Sequence, residues 1–329
     1  MTSCLRRFAI PLVLLGAVAI LPATGGAQAP VYLTQWGSQG SSNGQFNSSY
    51  RVATDAFGDV YVVDSPGNNR IQKFNSSGAY LTQWGSYGSG DGQFFNPSGV
   101  ATDLAGNVYV TDQGNFRVQK FTSTGAYLAQ WGSPGSGIGQ FDNPGAVATD
   151  AAGNVYVTEI GNQRVQKFTG TGTYLAHWGS FGSGDGQFFS PDGVATDPAG
   201  NVYVVDRNNS RVQVFTSTGA FLAKWGSPGG GNGQFFNPSG IATDAAGDVY
   251  VADSNNHRIQ KFTSTGAYLA QWGSSGSGNG QFMYPYGVAT NGDGDVYVAD
   301  FTNFRIQKFG ELIVPAKSTT WGRIKHLYR

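Results

Sequence analysis

Three histidines offer the first route to chemistry: His177, His257 and His326. Catalytic zinc needs three protein ligands converging on one point. These three stand at different positions of the surrounding pattern, so they do not form such a set. The single cysteine, Cys4, precedes an apolar run and offers no nucleophile to a mature domain. There is no Ser-His-Asp set in a recognisable context and no phosphate-cradling loop. Asn291-Gly-Asp293-Gly-Asp295 spaces its carboxylates as a Ca²⁺ loop does. It also aligns with Asp244-Ala-Ala-Gly-Asp248 one unit earlier and reads as a turn. No catalytic residue, metal site or cofactor is expected.

What remains is charge at fixed intervals. An acid recurs at Asp64, Asp112, Glu159, Asp206, Asp253 and Asp300, and an arginine at Arg70, Arg117, Arg164, Arg211, Arg258 and Arg305. An asparagine stands two residues before each arginine, from Asn68 to Asn303. Such an array is either a ring of polar ligands or six copies of a local tie across a hairpin loop. Six identical copies favour the tie, which makes the arginines structural. The same holds for Gln45, Gln93, Gln140, Gln187, Gln234 and Gln281.

The elements holding these residues repeat as well. Trp36, Trp84, Trp131, Trp178, Trp225 and Trp272 each precede a glycine, spaced by 48 and then 47 residues. One unit, from Gln93, reads QFFNPSGVATDLAGNVYVTDQGNFRVQKFTSTGAYLAQWGS. It divides into four short strands: Val100–Asp103, Asn107–Val110, Arg117–Phe121 and Ala126–Gly132. Their Val, Tyr, Phe and Trp suit pleated strands, and DLAGN and TSTGA carry turn chemistry between them. The strands do not alternate cleanly between apolar and polar, as expected of a sheet covered on both faces. After Phe309 the fourth strand is missing, and its copy VYLTQWG stands at Val31–Gly37. The N-terminal strand is therefore expected to complete the last sheet and close a ring, because an open array would leave two bare edges. The fold class is all-β, a six-bladed β-propeller with four-stranded blades.

The combination QFxxPxGVATDxxGNVYVxDxxNxRVQKFxxxGxYLxxWG resembles the NHL repeat, over nearly all of residues 31–309. The resemblance implies a six-bladed propeller, in agreement with the strand count. The family includes RNA- and protein-binding modules, an amidating lyase with a histidine-based metal site, and many secreted bacterial proteins. Family membership alone therefore does not select a function.

Positions that break the repeat are the candidates for a site. Before the innermost strand most units have a small residue and Gly, whereas the first has Tyr50-Arg51, the fourth Asp192 and the sixth Tyr286. In the loop joining the second and third strands, Phe116, Arg207, His257, Phe301 and Phe304 stand at variable positions. Both loops lie on one face of a propeller, so these residues are expected to rim the channel mouth. Exposed aromatics with an Arg and an Asp suit a ligand or partner.

The ends have their own character. Arg6 and Arg7, the apolar run Phe8–Leu21 and small residues up to Ala29 form the pattern of a secretory signal peptide. Residues 1–29 are read as that signal, 30–310 as the propeller and 311–329 as a basic tail. A secreted or periplasmic monomer without a transmembrane segment is expected. Residues 30–310 carry 14 Lys and Arg against 19 Asp and Glu, which disfavours nucleic acid. The reading is a non-catalytic scaffold for a protein, peptide or glycan at the channel mouth. A metal-dependent lyase or hydrolase with a channel site and a mainly structural repeat protein are its rivals.

Overall fold

The computed structural model describes residues 28–311. The signal and tail readings fall, apart from their inner edges, outside the described residues. Within them the chain forms six four-stranded antiparallel sheets. Blade two, for example, consists of Pro97–Thr102, Val108–Asp112, Arg117–Phe121 and Tyr127–Trp131, from the channel outwards. The first strand begins and ends earlier than the sequence implies. Asp103 leaves it because its carboxylate accepts the backbone N–H groups of Ala105 and Asn107, closing a turn. No helix among the described residues is long and apolar enough to cross a membrane.

Every residue of the second strand is buried in all six blades. This explains the missing alternation: one face of each sheet packs on the preceding blade, the other on the following one. Tyr61, Val63 and Ile71 of blade one form a single core cluster with Val108, Val110 and Phe121 of blade two and with Phe94 of the connecting loop. Trp84, from the outer strand of blade one, lies 5.8 Å from Phe121 of blade two. The turn of blade two crosses directly over that indole. A Cβ on Gly125 would come within 2.6 Å of it, and Gly125 has φ +89°, so only glycine fits on both counts.

The ring closes as expected. Val31–Trp36 pairs antiparallel with Arg305–Gly310, with Trp36 opposite Ile306. Arg305 Nη1 donates to Gln35 Oε1 at 2.7 Å, repeating the bond from Arg70 to Gln83 inside blade one. At the far end of the channel the last residue of each innermost strand is a threonine. Thr102 Oγ1 donates to the Thr54 carbonyl, Thr149 to Thr102, Thr196 to Thr149, Thr243 to Thr196, Thr290 to Thr243 and Thr54 to Thr290. All six bonds measure 2.6–2.7 Å and form an unbroken circuit.

Candidate functional site

The repeated acid, arginine and asparagine meet in every blade. In blade two Asp112 is fully buried. It accepts from Arg117 Nε and Asn115 Nδ2, both at 2.8 Å, and from the Phe95 N–H at 2.7 Å. The Arg117 guanidinium then donates to the carbonyls of Gly90 and Gln93 in the connecting loop. The same geometry recurs around Arg70, Arg164, Arg211, Arg258 and Arg305. All of these groups are turned inward and bonded to one another. Lysine keeps the charge but not the planar fork. Arg117→Lys is expected to cost about 1–3 kcal/mol, checked by urea unfolding with native fold by circular dichroism.

Residues that break the pattern converge across the channel. Arg51 stands where the other blades have Gly or Ala, and for good reason there: a Cβ on Gly193 would lie 2.4 Å from the Ser239 carbonyl oxygen. From blade one Arg51 reaches Asp192 of blade four and forms an ion pair whose side chains are 8% and 2% exposed. Tyr50 stacks on Tyr286 of blade six with ring centroids 4.3 Å apart. Tyr50 Oη donates to Tyr286 Oη at 3.0 Å, and Tyr286 Oη donates to Asp192 Oδ2 at 2.9 Å. Arg207 Nη1 donates to Tyr286 Oη at 3.1 Å and lies 3.6 Å from Asp192 Oδ2. Phe301 sets its edge against Tyr50. Both arginine guanidiniums lie over the Tyr286 ring, at 5.2 and 5.6 Å.

Burial, then the Asp192 charge, pushes both the Tyr50 and the Tyr286 phenols up in pKa, so both stay protonated as donors. For Arg207 burial works against the charge, but Tyr286, Asp192 and Tyr50 outweigh it and its pKa is raised. One carboxylate thus serves two guanidiniums and a phenol, and within this cluster Arg51 Nε alone is buried without a partner.

This corrects the expectation of exposed aromatics. Tyr50, Arg51, Asp192, Tyr286, Arg207 and Phe301 do meet at the mouth, but as a plug packed on itself. Asp192 and Arg51 satisfy each other in a buried place, and that mutual pairing leaves little for a ligand. Phe116, His257 and Phe304 are not part of it. Each takes a left-handed conformation, φ 53–55°, which turns the side chain away from the mouth. Phe116 and Phe304 pack on inter-blade core clusters. His257 Nδ1 accepts the Tyr284 N–H of the next connecting loop. His177 lies in the outer strand Tyr174–Trp178 and bonds the Tyr174 hydroxyl. Asn291 closes an ordinary turn by accepting from the N–H groups of Asp293 and Asp295, while Asp295 pairs with Lys308. Among the described residues no three His, Cys, Asp or Glu side chains gather as a metal site.

A second feature on the plugged face escapes the sequence argument. Each Gln-Phe of the connecting loop is followed by a variable residue: Asn47, Phe95, Asp142, Phe189, Phe236 or Met283. The first Phe is buried in every case, but Phe95, Phe189 and Phe236 are exposed. Tyr87 and Phe181, 69% and 66% exposed, set their rings on Phe95 and Phe189 at 5.4 and 5.3 Å. Tyr284 is exposed beside His257. An aromatic crown therefore surrounds the plug. The variability of that position was the available signal. At the opposite end the channel opens into a cavity of about 400 Å³, rimmed by Ala56, Leu104, Ala151, Pro198 and Ala245 above the threonine circuit.

Comparison with known proteins agrees with this architecture. The chain is similar in fold to a streptogramin B lyase, at 16% identity and TM-score 0.58, covering 85% of this chain and 97% of that one. It is similar to an auxiliary nutrient binding protein from Bacteroides thetaiotaomicron, at 16% identity and TM-score 0.59, covering 80% and 69%. It is also similar to the WD40 β-propeller domain of Doa1, at 11% identity and TM-score 0.57, covering 85% and 96%. A search of curated proteins finds no match. At these identities the likeness concerns fold alone. The NHL repeat profile matches residues 94–121, 188–215, 235–262 and 282–309. Those segments lead into and span the first three strands of blades two, four, five and six, and blades one and three keep the same acid–arginine geometry. The chain is a six-bladed β-propeller that carries NHL repeats.

Proposed function

We propose that this propeller is a non-catalytic interaction scaffold, exported by its N-terminal segment, that holds a protein, peptide or glycan partner on the plugged face. The observation that carries this reading is the aromatic crown. Tyr87, Phe95, Phe181, Phe189, Phe236 and Tyr284 are solvent-exposed on one face, and exposed apolar clusters of this kind mark contact surfaces. The plug supports it, since its polar groups other than Arg51 Nε are already paired and serve as a rigid floor. The lyase alternative finds less support. His177 and His257 both lie away from the channel, and the likeness to a lyase is one of fold.

The test is affinity capture from culture medium and envelope fractions with the parent protein and a Phe95→Ala, Phe189→Ala, Phe236→Ala variant. The three side chains are exposed, so the variant is expected to fold as the parent does by circular dichroism. A partner held by the parent and lost by the variant is the expected result. Equal capture by both, or capture by neither, sinks the reading.

A further inference from the structure

The face opposite the crown carries a departure from the repeat with a specific chemical meaning. Five blades have a lysine near the end of the third strand: Lys73, Lys120, Lys167, Lys261 and Lys308. Each ammonium sits 5.0–5.5 Å from the centre of its own blade's tyrosine ring. Lys120 and Lys167 also donate to a carbonyl of the next blade, Gly170 at 2.9 Å and Ser217 at 3.0 Å. Lys73, Lys167 and Lys261 lie within 4 Å of the carboxylate that closes the first turn.

In blade four the lysine is replaced by Val214. The groups a lysine would meet remain. Asp197 closes the first turn, Asn201 follows it, and Ser264 presents the carbonyl of the next blade. Among the described residues that carbonyl keeps only a 3.3 Å bond from the Tyr203 hydroxyl. Asp197 is also short of donors. Asp55, Asp103, Asp150 and Asp244 each accept the N–H two residues on. Asp197 precedes Pro198 and accepts only from the Asn201 N–H, the Asn201 amide and the Tyr203 hydroxyl. Among the described residues it has neither that backbone donor nor a cation within 4 Å.

These groups are reachable. Asp197, Asn201 and Ser264 line a depression of about 240 Å³ between the turns of blades four and five, walled by Pro198, Ala199 and Ala245. Tyr203 is fully buried, in one cluster with Val214, so a ligand meets the carboxylate and carbonyl but not the ring.

We propose that this depression binds a primary ammonium carried on an alkyl chain, the group that the sister blades supply from their own lysines. The ammonium has three N–H donors, matching the Asp197 carboxylate, the Asn201 amide oxygen and the Ser264 carbonyl. The apolar walls receive the chain. A lysine side chain of a partner and a free alkylamine share this chemistry. The site is independent of the crown on the other face.

The experiment is ligand-observed saturation-transfer NMR with n-butylammonium, using n-butanol as the neutral control, on the parent, Val214→Lys and Asp197→Asn proteins. The parent is expected to bind butylammonium with an affinity on the order of millimolar and to ignore butanol. Val214→Lys should abolish binding, because its own ammonium takes the place, and should melt no lower than the parent. Asp197→Asn should weaken binding at least tenfold. A blocked Gly-Lys-Gly peptide that competes with butylammonium assigns the site to a protein lysine; a peptide that does not compete assigns it to free amines. Absence of butylammonium binding, equal binding of butanol, or undiminished binding by Val214→Lys overturns the proposal.

Discussion

Replacing Asp192 with alanine is expected to destabilise the propeller by about 3–5 kcal/mol, the usual cost of removing one member of a buried ion pair. The reason is not the lost attraction alone. Arg51 is 7% exposed and already has one unsatisfied nitrogen. Without Asp192 its charge would face the Tyr286 ring and a second guanidinium, Arg207, with no anion between them. The Tyr286 hydroxyl would lose its acceptor as well. The double variant Arg51→Leu, Asp192→Leu is expected to recover most of the loss, because a buried pair replaced by apolar side chains of similar volume is often neutral. Urea unfolding of the two variants beside the parent checks both statements. If Asp192→Ala unfolds within about 1 kcal/mol of the parent, the plug carries no stabilising role and its pairing must be looser than described.

The second large effect concerns the clasp. Deleting residues 28–37 removes Trp36, which packs 5.8 Å from Phe74 and 6.1 Å from Tyr297. It also removes Tyr32, which sets its edge on Phe309. Truncating one large aromatic in a core costs about 3–5 kcal/mol, and here two are lost together with a whole strand. The Arg305–Gly310 strand would become a bare edge, the kind of surface that pairs with other chains. The shortened protein is expected to melt at least several degrees lower and to elute as dimers or larger species in size-exclusion chromatography. Gln35→Ala, which removes one bond to Arg305, should remain monodisperse. A monodisperse, undiminished melting profile for the deletion would show that the ring does not depend on its clasp.

Much of this architecture is legible in the sequence because it is local and repeated. A tryptophan every 47 or 48 residues, an acid and an arginine around each loop, and a displaced copy of the fourth strand are read directly along the chain. The candidate site is only half legible. Arg51 and Asp192 betray themselves by breaking the pattern, but they are 141 residues apart, and nothing along the chain says that they face each other and not a ligand. That depends on the width of the channel between blades one and four. Phe116 and Phe304 mislead for a different reason: a left-handed backbone at the loop's last residue swings the side chain into the seam, which residue type does not announce. The crown was hidden by resemblance. Phe94 and Phe95 are adjacent and identical in kind, yet one is the most buried residue of its loop and the other faces solvent.

The threonine circuit bears on how such a molecule comes apart. In a linear array the terminal units have one neighbour and can peel away singly. Here each blade is bonded to two neighbours by the same hydroxyl-to-carbonyl link, and the circuit has neither a first nor a last member. Releasing any one blade breaks two interfaces at once, whereas every later release breaks one. The first opening is therefore the costliest step, and once it has happened the rest follows more easily. Fraying is suppressed, and repetition that would make a chain of beads modular makes this ring cooperative.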